Sequence, residues 1–382
     1  MKNKNIYKYC CLVILLTTSL FACKKKVLGP QNNFLNYIVP DVPATKNYTV
    51  GAFYYTFGSF NVNVTQKPVV GGPGPYFYNS GVPSLGTAAA PIATPAIMDA
   101  HVADAAIAKI DYFVFSVRSP TMDNNNFKAD SNTIVSFLNA ANSSKMNFAI
   151  SYSLNTGTLG VSNTVALESN ATKLLGFYND FKRLSYWMTK ANYQKVNGKY
   201  LIIINHAQDL NSNDNVALYK QLRSNLAAMG FDLYIVGMQD RWSPPDRFYY
   251  RFQNCTDAMY EANMGDVAGD NDRYWGFPQF CDQNWAYWKT TIEGWGQEFI
   301  PCVMAGYNYQ INNPTNNGLS VQRTNDGVWY KKFTDVAKRN ASKSGLIFVD
   351  SFNNFTLDSQ IEPTQAYGNN FLDITRTAFK LN

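Results

Sequence analysis

The sequence predicts a single-domain (β/α)8 TIM barrel, and three observations predict it. Eight short apolar runs recur along the chain, and most of the gaps between them carry helical periodicity. The runs are also almost continuously apolar instead of alternating. That is the pattern of parallel strands buried on both faces, with helices outside and side chains inside. A doubly wound open sheet is the alternative arrangement of the same elements. A chain of 382 residues can bury roughly three quarters of its unfolded surface, enough for one large core.

The first expected strand, 48–56, follows a basic and then Pro- and Asn-containing stretch without periodicity. Residues 66–95 come next, a long loop opening on Gly71-Gly-Pro-Gly-Pro75 and Tyr76-Phe-Tyr78. Loops of this length are usually functional, and in a barrel this one would arch over the C-terminal face of the strands. It lacks the lysine and following helix of a nucleotide-binding loop. Helix 97–109 has apolar residues at helical spacing and leads into strand 110–118. The alternation then continues as helix 132–142, strand 146–153, helix 166–191, strand 199–205, helix 216–229 and strand 231–238. Residues 240–254, with Ser243-Pro-Pro and clustered aromatics, read as a loop. Strand 256–262, helix 285–295, strand 299–305, helix 329–340, strand 345–351 and a final helix 370–379 complete the series.

The amino terminus reads as a targeting segment. Lys2, Lys4 and Lys8 precede an apolar run from Cys10 to Leu16, and Leu20-Phe-Ala-Cys23 follows. A basic start, a short apolar stretch and small residues before a cleavage point define a secretory signal over residues 1–22. The Leu-x-Ala-Cys ending is a bacterial lipoprotein box, which makes Cys23 the expected lipidation site. Residues 23–45 would then tether the barrel, residues 46–382, to a membrane through the lipid, with Lys24-Lys-Lys26 against anionic headgroups. The expected location is the outer membrane, with the periplasmic face preferred.

Export changes the charge arithmetic. Removing three lysines and no acidic residue takes the formal net charge from +6 to about +3, so the domain is close to neutral, which argues against nucleic acid as a partner. Cys255, Cys281 and Cys302 are the cysteines left to the folded domain. Three cysteines allow at most one disulfide and a free thiol, which excludes a disulfide scaffold. The chain has two histidines, His101 and His206, and no paired-cysteine motif, so neither a metal nor another cofactor is expected. No Gly-x-Ser-x-Gly elbow occurs.

The segment Gly345-Leu-Ile-Phe-Val-Asp-Ser351-Phe-Asn-Asn-Phe-Thr-Leu-Asp-Ser-Gln-Ile-Glu362-Pro carries the most information. It resembles the last-strand motif of the endo-α-mannosidase (family 99-like) glycoside hydrolases and their family 71 relatives, roughly Ser-Phe-Asn-Glu-Trp-x-Glu-Gly-Thr-Gln-Ile-Glu-Pro. Weaker matches fall in the same order along most of the chain. They are 50–57, 101–116, 197–205, 300–307 and 367–372. The resemblance implies a TIM barrel that takes an α-linked glycan at its mouth. In that family the first two glutamates of the motif do the acid and base work, and here those positions hold Asn354 and Leu357. Glycosidic hydrolysis needs two carboxyl groups, one giving a proton to the leaving oxygen and one taking a proton. An amide and an isobutyl group do neither.

Asp240 at the end of the fifth strand, Glu261 near the end of the sixth and Asp358 just past the lost glutamate are the candidate replacement carboxylates, all expected to face the mouth. For sugar binding, Tyr55, His206, Trp242, Trp275, Tyr307, Asn353, Asn354 and Glu362 are the candidates, with Tyr274 and Tyr309 on the same group of loops. Aromatic faces stack on sugar rings while amides and carboxylates take the hydroxyls. The leading expectation is a monomeric barrel that binds a polysaccharide or oligosaccharide with altered catalysis. An active endo-acting hydrolase of α-mannan or α-glucan with relocated carboxylates is the alternative. A structural envelope lipoprotein, its mouth filled by apolar side chains, is the third.

Overall fold

The computed structural model describes residues 38–56, 93–240, 244–262, 277–308, 320–321, 323, 326–355 and 357–381. The signal segment, Cys23, most of the tether and the long 66–95 loop lie almost wholly outside these residues. Eight parallel strands follow one another around a barrel. They are β1 (Thr49–Tyr55), β2 (Tyr112–Val117), β3 (Asn147–Ser153), β4 (Lys199–Asn205), β5 (Leu233–Asp240), β6 (Ala258–Ala262), β7 (Glu298–Phe299 and Cys302–Val303) and β8 (Leu346–Val349). Seven sit within the expected apolar runs, apart from ends that differ by a residue or two. β7 is split around Ile300-Pro301, because proline has no N–H to give to a ladder. Its first half pairs with β6 and its second half with β8, while β8 also pairs with β1. The circuit therefore closes, as the (β/α)8 reading requires, and the open doubly wound sheet is excluded.

The helices are α1 (Pro95–Ile107), α2 (Asn124–Leu138), α3 (Ala171–Met188), α4 (Asn215–Ala227), α5 (Tyr249–Phe252), α6 (Phe277–Gly294), α7 (Val328–Asn340) and α8 (Asn370–Phe379). Local chemistry sets their starts. Thr94 caps α1 by accepting from Ile97 N at 3.3 Å, with Pro95 at the first helical position. Asn170 and Asp214 cap α3 and α4 in the same way. α2 begins eight residues earlier than periodicity indicates, because Asn124-Asn-Asn126 hides a buried stripe of Phe127, Ile134 and Phe137. The segment 240–254, expected as a loop, contains the single turn α5, which fills the helix position between β5 and β6.

The compact unit begins at Val39. The end of the expected tether thus packs on the barrel, with Val42 N donating to Asp335 Oδ1 on α7 at 3.2 Å and Lys338 Nζ donating to Val42 O. No helix among the described residues is long and apolar enough to cross a membrane.

Two apolar shells hold the fold. Phe53, Tyr112, Val114, Leu201, Ile203, Tyr234, Val236, Tyr260 and Phe348 fill the barrel. Outside it, Tyr54, Phe113, Phe115, Phe137 and Phe148 pack between strands and helices. Gly51 is required inside, since a Cβ there would sit 2.4 Å from the Tyr112 ring. Gly51→Ala is expected to destabilise the chain by about 1–3 kcal/mol through overpacking, measured as a lowered urea midpoint with an unchanged slope.

Candidate functional site

Strand alternation sends every second residue into the barrel, and at the C-terminal ends the inward positions turn polar. Tyr55, Ser116 and Ser151 are register partners on β1, β2 and β3. The Ser116 and Ser151 hydroxyls have no hydrogen-bond partner among the described residues. Asn205 ends β4, Asp240 ends β5, and Asp350 follows β8 in the inward register of Leu346 and Phe348. Tyr55 donates its hydroxyl to Asp350 Oδ1 at 3.1 Å, and Tyr260 donates to Asn205 Oδ1 at 2.6 Å.

The low-dielectric wall sets the protonation of this layer. Burial pushes the Asp350 carboxyl up to about 6, opposed by the Tyr55 hydrogen bond, which favours the anion. Burial likewise pushes Tyr55 well up, with Asp350 adding to it. Tyr260 is raised by burial and then by Cys302, Asp350, Tyr55 and Asp240. The Cys302 thiol is raised by burial and by Asp350. The phenols and the thiol therefore keep their protons at neutral pH, and Asp350 is a group that exchanges one.

The loop after β8 is folded tightly on itself. Phe352 N donates to Phe53 O at 2.8 Å. The Asn353 side chain then continues the β1 ladder, its Oδ1 accepting from Tyr55 N at 2.8 Å and its Nδ2 donating to Tyr55 O at 3.2 Å. Asn354 is buried, and its Oδ1 accepts from Leu357 N at 3.2 Å. The amide in the first glutamate position thus takes part in the loop's own hydrogen bonding. Ser351 N to Ser359 O and Glu362 N to Phe352 O close the return.

The other expected site residues scatter. Asp240 is half-buried at the mouth, in register with Ala262 of β6. Glu261 does not face the mouth. It occupies the outward phase of β6, between inward Tyr260 and Ala262, and accepts from Trp285 Nε1 at 3.0 Å and Asn284 Nδ2 at 3.0 Å on α6. Burial there pushes its carboxyl well up. Asp358 is turned into the loop, buried against Arg323, whose Nε lies 3.3 Å from its Oδ1. Glu362 is also buried away from the mouth. Its Oε1 lies 3.3 Å from His101 Nε2, and His101 Nδ1 lies 2.8 Å from the Tyr54 hydroxyl, joining α1, β1 and the last loop.

His206 stands half-buried at the end of β4 with a left-handed φ of 54°. Tyr307 is buried just past β7 and near enough to raise the Tyr55 pKa. Trp242, Trp275, Tyr274 and Tyr309 lie outside the described residues. Cys255, Cys281 and Cys302 are all buried free thiols. Among the described residues, no three His, Cys, Asp or Glu side chains come together as a metal site.

Asp350, Tyr260 and Asn205 were not singled out by sequence reasoning. The available signal for Asp350 was a lone carboxylate directly following Leu346-Ile-Phe-Val349, at the mouth end of an apolar strand.

No family model and no curated protein matches this chain. Solved structures do. One described as a glycoside hydrolase-like protein is 25% identical over 93% of this chain and 100% of its own, with a TM-score of 0.78. The GH99 endo-α-mannosidase from Bacteroides thetaiotaomicron is 16% identical over 87% of this chain and 97% of its own, with a TM-score of 0.60. The same enzyme in complex with BIS-TRIS-Propane matches with a TM-score of 0.58. The chain has a glycoside-hydrolase-like TIM-barrel fold.

Proposed function

We propose that this protein is a glycan-binding barrel of glycoside-hydrolase descent, taking a polymeric or oligomeric carbohydrate at the mouth, with its chemistry removed from the motif glutamate positions. The observation that carries the reading is the pairing of a retained frame with an altered site. The loop after β8 keeps its hydrogen-bonded return, while Asn354 and Leu357 stand where the motif has carboxylates. A polar inward layer of Tyr55, Ser116, Ser151, Asn205, Asp240 and Asp350 supports a hydroxyl-rich ligand over a purely structural role, for which an apolar mouth would serve. Its place is the outer membrane, through a lipid on Cys23, with the periplasmic face preferred.

Native gels containing one polysaccharide each, from a panel of α-mannans and α-glucans, test the reading. Retarded migration in at least one is expected, and migration unchanged in all would overturn it. Tyr55→Ala is expected to weaken that retardation about 10-fold by removing an aromatic face and a hydroxyl from the mouth. Glu261→Gln is expected to leave it unchanged, because Glu261 faces α6.

A further inference from the structure

We propose that Asp350 and Asp240 form a relocated proton-transfer pair that hydrolyses a glycosidic bond at the barrel mouth, a proposal that rests on the carbohydrate reading above. Asp350 follows β8 and Asp240 ends β5, both in the inward phase of their strands. They approach a common space from two sides of Tyr260, whose hydroxyl is held by Asn205 and which is electrostatically coupled to both carboxyls. Tyr55 fixes one oxygen of Asp350 and so its orientation. Among the described residues Oδ2 has no hydrogen-bond partner, and it is the oxygen that carries the transferable proton.

The step balances with water as the only co-reactant. Asp350 gives its proton to the glycosidic oxygen as the bond from that oxygen to the anomeric carbon breaks, the electron pair leaving with the oxygen. A water oxygen forms the new bond to the anomeric carbon, and its proton passes to Asp240. Asp240 then releases a proton to solvent and Asp350 regains one. A carboxyl held at about 6 suits this work, being partly protonated near neutral pH yet acidic enough to give the proton up. Among the described residues the groups facing it are Tyr55 from β1, Tyr260 from β6 and Cys302 from β7, which burial keeps protonated at these pH values, with Tyr307 beyond β7 and Asp240 from β5 on the far side of Tyr260. Because the acid must be protonated, hydrolysis is expected to fall as pH rises through about 6.

The test incubates the full chain with the polysaccharide that retards it and measures reducing-end release. Asp350→Asn and Asp240→Asn are each expected to lower release about 10²- to 10⁴-fold, far more than either weakens gel retardation, and Glu261→Gln to lower neither. Tyr55→Phe provides an independent readout. It removes a hydrogen bond that favours the Asp350 anion, so the alkaline limb of the pH profile is expected to move to higher pH. Release that survives in Asp350→Asn, or an alkaline limb unmoved in Tyr55→Phe, overturns the pair. Retardation without release by the unaltered chain also overturns it while leaving the binding reading intact. A chain retarded by no polysaccharide overturns the binding reading, and the pair with it.

Discussion

The hydrogen bonding of Asn353 to the backbone of Tyr55 is the constraint on which the barrel mouth depends. β8 ends at Val349, and the chain must leave the barrel without exposing the edge of β1. Phe352 N supplies one ladder bond to Phe53 O, and the Asn353 carboxamide then acts as a detached peptide group, accepting from Tyr55 N and donating to Tyr55 O. The barrel closes through a side chain where the strand has run out. The same bonds hold Tyr55 at the height where its hydroxyl meets Asp350. Closure and site geometry are therefore one arrangement.

Carboxyl groups around the strand ends separate by the side of the wall on which they stand. Asp350 and Asp240 have the inward phase and remain half-buried. Glu261, next to inward Tyr260, has the outward phase and sits between sheet and helix with an indole and an amide as donors. Asp358 is held by a buried guanidinium that also donates to backbone oxygens of the same loop and lies over Phe371, 4.3 Å from the ring centroid. Burial raises Asp350 and Glu261 alike, but of these two only Asp350 stands in the inward phase and is partly exposed.

The loop after β8 separates framework from chemistry. Its turns depend on Ser351, Asn353, Ser359 and the backbone, and the main chain of Asn354 joins them by donating to Ser351 Oγ and accepting from Ser359 N, bonds that any side chain at that position allows. Asn354 can satisfy Leu357 N with its side-chain oxygen and leave the return intact. A change of chemistry at these positions is therefore compatible with the retained fold.

The sequence by itself determined the strand series and the barrel, because burial on both faces imposes apolar runs that are legible without coordinates. It also placed Asp240 at the end of β5 and flagged the loop after β8. Tertiary structure decided the rest. Inward and outward positions differ by one residue, and a single residue sets whether a carboxyl faces the barrel interior or a helix, as Asp240 and Glu261 demonstrate. Asp350 stood in the sequence as one acid after an apolar strand. Its hydroxyl partner lies 295 residues away, on the strand that closure makes its neighbour. Proximity of that kind is a property of the closed barrel, and no local pattern of residues encodes it.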